Sequence, residues 1–264
     1  MDQVSGSSLG SVYADLTNHN RLPERAERFV LESGLSFEAT SIRDYVIRYE
    51  ADRIALDLSF TGVMEPYDIH DPTMDPLASP EIAHAIANSG FGAAYTAHFD
   101  MTVAVKGTVR LGDSVFPVDC VSTMDHSWGP RPENGFHPLV WTNAHYNREN
   151  SLHAIFVYHP GETPERQHEF KHGYALVDGK VCGAISATMV AEQDGPFARR
   201  LHWTLTDVDG NEHHAVGEML TYHPWLPYAN NLSPLQMMAW RDGGTKSGTG
   251  TYMQGIPLNK VRKF

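Results

Sequence analysis

Cysteine is nearly missing from this sequence: Cys120 and Cys182 are the only two in 264 residues, each inside an apolar, strand-like stretch. Their scarcity excludes a disulfide-stapled scaffold and a CxxC-type metal site, and it predicts two buried thiols in a reducing cytoplasm. Positive charge is also scarce. Twenty Lys and Arg face 32 Asp and Glu, for a net charge of −12. A field of that sign repels phosphate backbones and anionic headgroups, so nucleic acid is not an expected partner. No apolar run is long enough for a membrane span, so no membrane insertion is expected. Met1 to Ser7 has neither the basic nor the apolar segment of a secretion signal, which again points to a cytoplasmic location. Helix signals are few: a stretch from Pro23 to Glu32 ended by Gly34, and Ser79-Pro80-Glu81, whose N-cap and N1 proline open a short helix closed by Gly90.

Alternation is what the sequence has in quantity. Hydrophobic residues make up 41% and charged residues 20%, enough apolar side chain for a packed core and too much for disorder. From Arg53 to Thr61, Ile54, Leu56, Leu58 and Phe60 alternate with Ala55, Asp57 and Ser59, and Tyr45 to Glu50 supplies the other arm of a half-buried hairpin. From Ala94 to Leu111, Phe99, Met101, Val103, Val105, Val109 and Leu111 share one face, while His98, Asp100, Thr102, Lys106, Thr108 and Arg110 take the other. Further strands are predicted at 115–124, 139–147, 152–158, 170–177, 180–190, 200–208, 213–222 and 249–253. Asp178-Gly179 and Asp209-Gly210 supply the positive φ that tight hairpin turns need. Hairpin-joined strands without βαβ spacing predict an all-β protein, an antiparallel barrel or sandwich with one short helix.

The densest chemistry lies in Met124-Asp125-His126-Ser127-Trp128-Gly129-Pro130-Arg131. On an extended backbone Asp125 and Ser127 share one face and His126 and Trp128 the other. Asp125 is open to two readings, a functional acid or the partner of Arg131 in a structural pair. In the strand around Trp141, that residue, Asn143 and His145 share a face that mixes aromatic and polar groups, which suits either a ligand pocket or a solvent-facing strand side with Trp141 at its rim; Thr142, Ala144 and Tyr146 form the opposite, core side. His168-Glu169-Phe170-Lys171-His172 spells a zinc-protease motif, but no long helix accommodates it. Read as a strand, it puts His168, Phe170, His172, Tyr174 and Leu176 on one face. No metal and no nucleotide cofactor is expected. Pro224 to Tyr228 and Leu235 to Trp240 are apolar outside clean strand periodicity and suit a lid, an interdomain filler or a homodimer patch.

The segment from Asp125 to Arg131, with the strands between Tyr95 and Cys120 before it, resembles the Asp-x-x-Trp-Gly signature of the carotenoid 1,2-hydratase/AttH-like family. That family is related to kievitone hydratase and to lipocalin-like cyclases. The resemblance implies two lipocalin-like antiparallel halves, residues 1–134 and 135–264, and a barrel mouth that holds an apolar small molecule. It further implies hydration, dehydration or cyclisation of a terpenoid, polyketide or aromatic substrate without a cofactor, that is, a hydro-lyase or cyclase. In that chemistry Asp125 is the proton donor and His126 or His145 the base. Trp128, Trp141, Asn143 and Tyr146 line the substrate, and Arg131 is structural. A non-catalytic carrier of the same ligand class is the alternative.

Overall fold

The computed structural model describes residues 24–78, 97–128, 138–228 and 230–263. Within them, alternation becomes antiparallel β-structure, with short 3-10 turns at Pro164–Arg166 and Leu258–Lys263. One seven-stranded sheet contains β1 (Arg28–Val30), β2 (Ser36–Ala39), β3 (Asp44–Glu50), β4 (Ile54–Gly62), β5 (Tyr67–Asp68), β6 (Ala97–Leu111) and β7 (Ser114–Trp128). Its order is β1-β2-β3-β4-β6-β5, with β7 paired to β6. Eight more strands close a barrel: β8 (Leu139–His145), β9 (Ser151–Tyr158), β10 (His168–Val177), β11 (Lys180–Asp194), β12 (Phe197–Asp207), β13 (Glu212–Tyr228), β14 (Asn231–Arg241) and β15 (Ser247–Pro257). The all-β class and the lipocalin-like barrel are as the sequence predicts. Contacts divide the chain into two units, one of residues up to Pro66 with Met101–Met124, the other of Tyr67–Asp100 with Asp125 onward.

Several local expectations change. The helix predicted from Pro23 to Glu32 is instead a turn and strand over its described residues: β1 pairs with β2, Phe29 opposite Phe37 with rings 5.1 Å apart, and Gly34 turns the chain at φ 89°. A cross-strand aromatic pair outweighs the helical propensity of residues that make few other contacts. The helix expected at Ser79–Gly90 lies outside the described residues. Cys182 is buried, but Cys120 is exposed. The stretches at Pro224 and Leu235 are strand after all: β13 and β14 pair along their length, with bulges between Met219 and Thr221 and between Trp225 and Tyr228 that break the two-residue period. Pro224 faces Pro234, so the two missing N–H groups fall on the same rung.

Large aromatic side chains pack inside the barrel. Trp203 and Trp240 meet edge to face with ring centroids 5.9 Å apart, beside the buried Phe156, Tyr158, Tyr252, Met189 and Leu201. Along β8 and β9 the inward positions are Val140, Ala144, Leu152, Ala154, Phe156 and Tyr158, all in this core. Positions between them face outward and would ordinarily meet water. Instead Asn143, His145, Ser151, His153 and Ile155 are buried too, so a second layer covers this side of the barrel.

The other sheet depends on one glycine. Gly107, opposite Leu58 on β4, sits at φ 145°, and a Cβ there would lie 1.9 Å from Asp57 O. Backbone, unlike a side chain, cannot swing away. Gly107→Ala is therefore expected to destabilise this sheet by about 2–4 kcal/mol, read as an early loss of structure in chemical denaturation; an unchanged midpoint would refute the strain.

Candidate active site

The covering layer, in the described residues, is Tyr67 to Ala78 and Ala97 to Asp100, which belong to the same unit as the barrel. The Tyr67 ring lies 5.0 Å from that of Tyr174 on β10. Gly183 on β11 leaves room for the chain, since a Cβ there would sit 2.5 Å from Pro76 Cδ. Asp75, 1% exposed, is enclosed in this layer, and burial pushes its carboxyl up to about 6. The start of β6 then brings His98 and Asp100 against the outer face of β8 and β9.

Asp100 is the centre of the arrangement. It is completely buried, and three donors surround it: His98 Nε2 at 2.8 Å from Oδ2, Trp141 Nε1 at 3.1 Å from Oδ1, and His153 Nε2 at 3.0 Å from Oδ2. The first two are well directed. His153 meets the distance but not the direction of a hydrogen bond, and neither of its ring nitrogens makes a directed bond. Burial alone would favour the neutral acid, but His153 and His98 outweigh it and hold the Asp100 carboxyl well below the usual carboxylate range. The other nitrogen of His98, Nδ1, faces Asp125 Oδ1 at 3.8 Å. Asp125 is 40% exposed at its side chain while His98 is 1% exposed, so the line Asp100–His98–Asp125 runs from the interior to the surface. His172 packs edge-on to His98 at 5.9 Å, and burial keeps it neutral.

The sequence-predicted residues fall into groups. Asp125 stands at the outer end of this line and shares its face with Ser127, whose hydroxyl donates to it at 3.3 Å. His126 points the other way, its ring 5.2 Å from Phe99, and burial lowers its pKa. Trp141, Asn143 and His145 do share one face, the buried outer one, but they do different work. Trp141 binds Asp100, Asn143 accepts the Thr251 N–H at 3.0 Å, and His145 bonds Ser151 Oγ through Nδ1 at 3.0 Å. Burial pushes His145 down to about 3. Tyr146 packs against the barrel core. The Trp128 side chain and Arg131 lie outside the described residues. The single face expected for His168 to Leu176 is broken by a bulge between Phe170 and His172. His168 consequently turns inward to Tyr252, 2.9 Å away, while His172 turns outward to His98, and the two cannot share one ion.

His98, Asp100 and His153 were not singled out as site residues from the sequence. His98 and Asp100 are legible only as part of a polar strand face, and nothing local distinguishes a polar face that meets water from one that meets another layer. His153 sits among apolar residues of β9, where a lone histidine reads as core.

Three comparisons bear on this geometry. A solved structure from Nitrosomonas europaea, provisionally designated AttH, superposes with a TM-score of 0.54 at 12% identity, over 84% of this chain and 67% of that one. The likeness establishes the AttH-like fold. No curated protein matches the sequence. The chain belongs to the family described as a domain of unknown function, DUF7064, whose model matches residues 7–253.

Proposed function

We propose that this chain is a cofactor-independent enzyme that moves protons on an apolar small molecule, in a hydration, dehydration or cyclisation. The observation that carries the reading is the placement of one imidazole, His98, between a buried carboxylate and a solvent-facing one. Asp100 accepts from Nε2 and so fixes the ring and its tautomer; Nδ1 is left as the proton-handling atom toward Asp125 and the open side. A proton delivered there to an alkene carbon or a departing hydroxyl leaves a cation. Water then adds to it, releasing a proton, or a neighbouring C–H gives up its proton to form the alkene. His98 and Asp125 accept that proton and the site is restored. The AttH-like fold supports this substrate class as expected from the Asp125 motif.

A carrier would need none of these groups, and the experiment uses that difference. Native mass spectrometry of the purified chain identifies the molecule it retains, and that compound becomes the assay substrate. Asp125→Asn is expected to lower turnover by about 10²–10⁴-fold while ligand affinity and melting temperature stay near wild type, because the side chain is half exposed and the amide keeps its shape. A ligand recovered chemically unchanged by the wild-type chain would leave carriage as the function, and full turnover in both Asp125→Asn and His98→Gln would overturn the assignment of the proton transfer to these two residues.

A further inference from the structure

We propose that residues 67–78 form a pH-sensitive strap over β10 and β11, held down while the Asp75 carboxyl keeps its proton and released as that carboxyl ionises. The strap starts at β5, where Tyr67 pairs with Asp100 and Asp68 with Phe99 on β6. Tyr67 and Ile69 are buried near this end. At the far end the buried side chain is Asp75, between the exposed Thr73 and Pro76. Gly183 on β11 lets the strap lie close: a Cβ there would sit 2.4 Å from Met74 O, 2.5 Å from Pro76 Cδ and 3.0 Å from Tyr67 Oη. Both ends of the strap therefore rest on one backbone position, beside the contact of the Tyr67 ring with Tyr174.

An apolar side chain at position 75 would hold the strap at every pH, whereas a carboxyl does so in only one charge state. The groups that act on Asp75 are the Leu77 N–H, 2.8 Å from Oδ1, and the Tyr67 hydroxyl, which makes no directed hydrogen bond. Around this pair, Tyr174 on β10 and Asp100 on β6 bring no positive charge. On β11, Lys180 pairs with Asp209, and on the strap itself His70 pairs with Asp68 rather than with Asp75. A buried carboxylate without a cation is unfavourable, and burial keeps this carboxyl protonated up to about 6. Once ionised, it reaches water by lifting the strap. In the open strap the carboxyl returns to an ordinary value near 3.9, so ionisation favours opening, and the opening equilibrium rises about 10-fold between pH 5 and pH 7.5. The strap stands apart from the acid–base reading above, since it follows from the layer over β10 and β11 whatever the chain catalyses or carries.

Hydrogen exchange of the full chain tests this, with rates corrected for the intrinsic pH dependence of amide exchange. The amides to follow are those of Met74, Asp75 and Ala78, which bond to Asp71 O, Asp71 O and Asp75 O, and that of Leu77. Their protection is expected to fall about 10-fold from pH 5 to pH 7.5, with no such fall in the amides of β12. Asp75→Asn keeps an oxygen for Leu77 N–H but cannot ionise, and its strap protection should be the same at both pH values. The wild-type comparison stands by itself if the variant does not fold. Strap protection that is equal at the two pH values or lower at pH 5, a loss shared by β12, or a wild-type pH response kept in Asp75→Asn overturns the proposal.

Discussion

Asp100→Asn is expected to lower turnover by about 10⁴-fold, the scale seen when a buried carboxylate that orients a catalytic histidine is made an amide. The reason is geometric. Trp141 Nε1–H donates to Oδ1 at 3.1 Å, so the amide keeps its oxygen on that side and turns its NH₂ toward His98 and His153. His98 Nε2 can then no longer donate. The ring must shift its proton to Nδ1, the atom facing Asp125, and the base is lost. The same logic predicts a partial rescue. In the double variant with Trp141→Phe, nothing holds the amide oxygen away from His98, the amide can flip, and activity should recover well above that of Asp100→Asn alone. Strong non-additivity of this sign is the signature of a positioning role. Losses that simply add, or that follow the folded fraction, would show that Asp100 is a buried structural acid.

How much of this was legible depends on the range over which each signal acts. The hairpins were: alternation along β3, β4 and β6, and the Asp178-Gly179 turn at φ 49° and 80°, are written in neighbouring residues. The bulge between Phe170 and His172 was not, because one extra residue reverses every later side chain without changing the composition of the strand. Sequence reading correctly put Trp141, Asn143 and His145 on one face. It could not foresee that the start of β6 packs against that face, so that His98 and Asp100, read as the polar side of a strand, become buried groups. His98 and Asp100, Asp125 and His153 come from three strands, β6, β7 and β9, and chain spacing carries no information about their meeting.

Acid should unfold the barrel unit before it protonates Asp100, and two buried histidines outside the Asp100–His98–Asp125 line set the sign. His145 and His168 are buried, and burial pushes each down to about 3 from an ordinary value near 6.5. Between those values the unfolded chain binds protons that the folded chain refuses, so stability is full above pH ~6.5 and falls as pH drops. The slope is about 1.4 kcal/mol per pH unit for each group. Asp75 works in the opposite direction: its carboxyl is raised to about 6, so the folded state holds its proton more tightly, and stability gains about 1.4 kcal/mol per unit as pH falls from 6 to about 4. Of these three groups, then, one histidine's worth of loss remains between pH 6 and 4, on the order of 3 kcal/mol, a large share of a typical domain's margin. Chemical denaturation at pH 7 and pH 4.5 measures it. His168→Gln keeps a partner for Tyr252 and should flatten the acid loss, whereas Asp75→Asn, which retains an oxygen for the Leu77 N–H at 2.8 Å, should steepen it. Equal pH slopes in wild type and both variants would mean that these buried groups titrate freely in the folded protein.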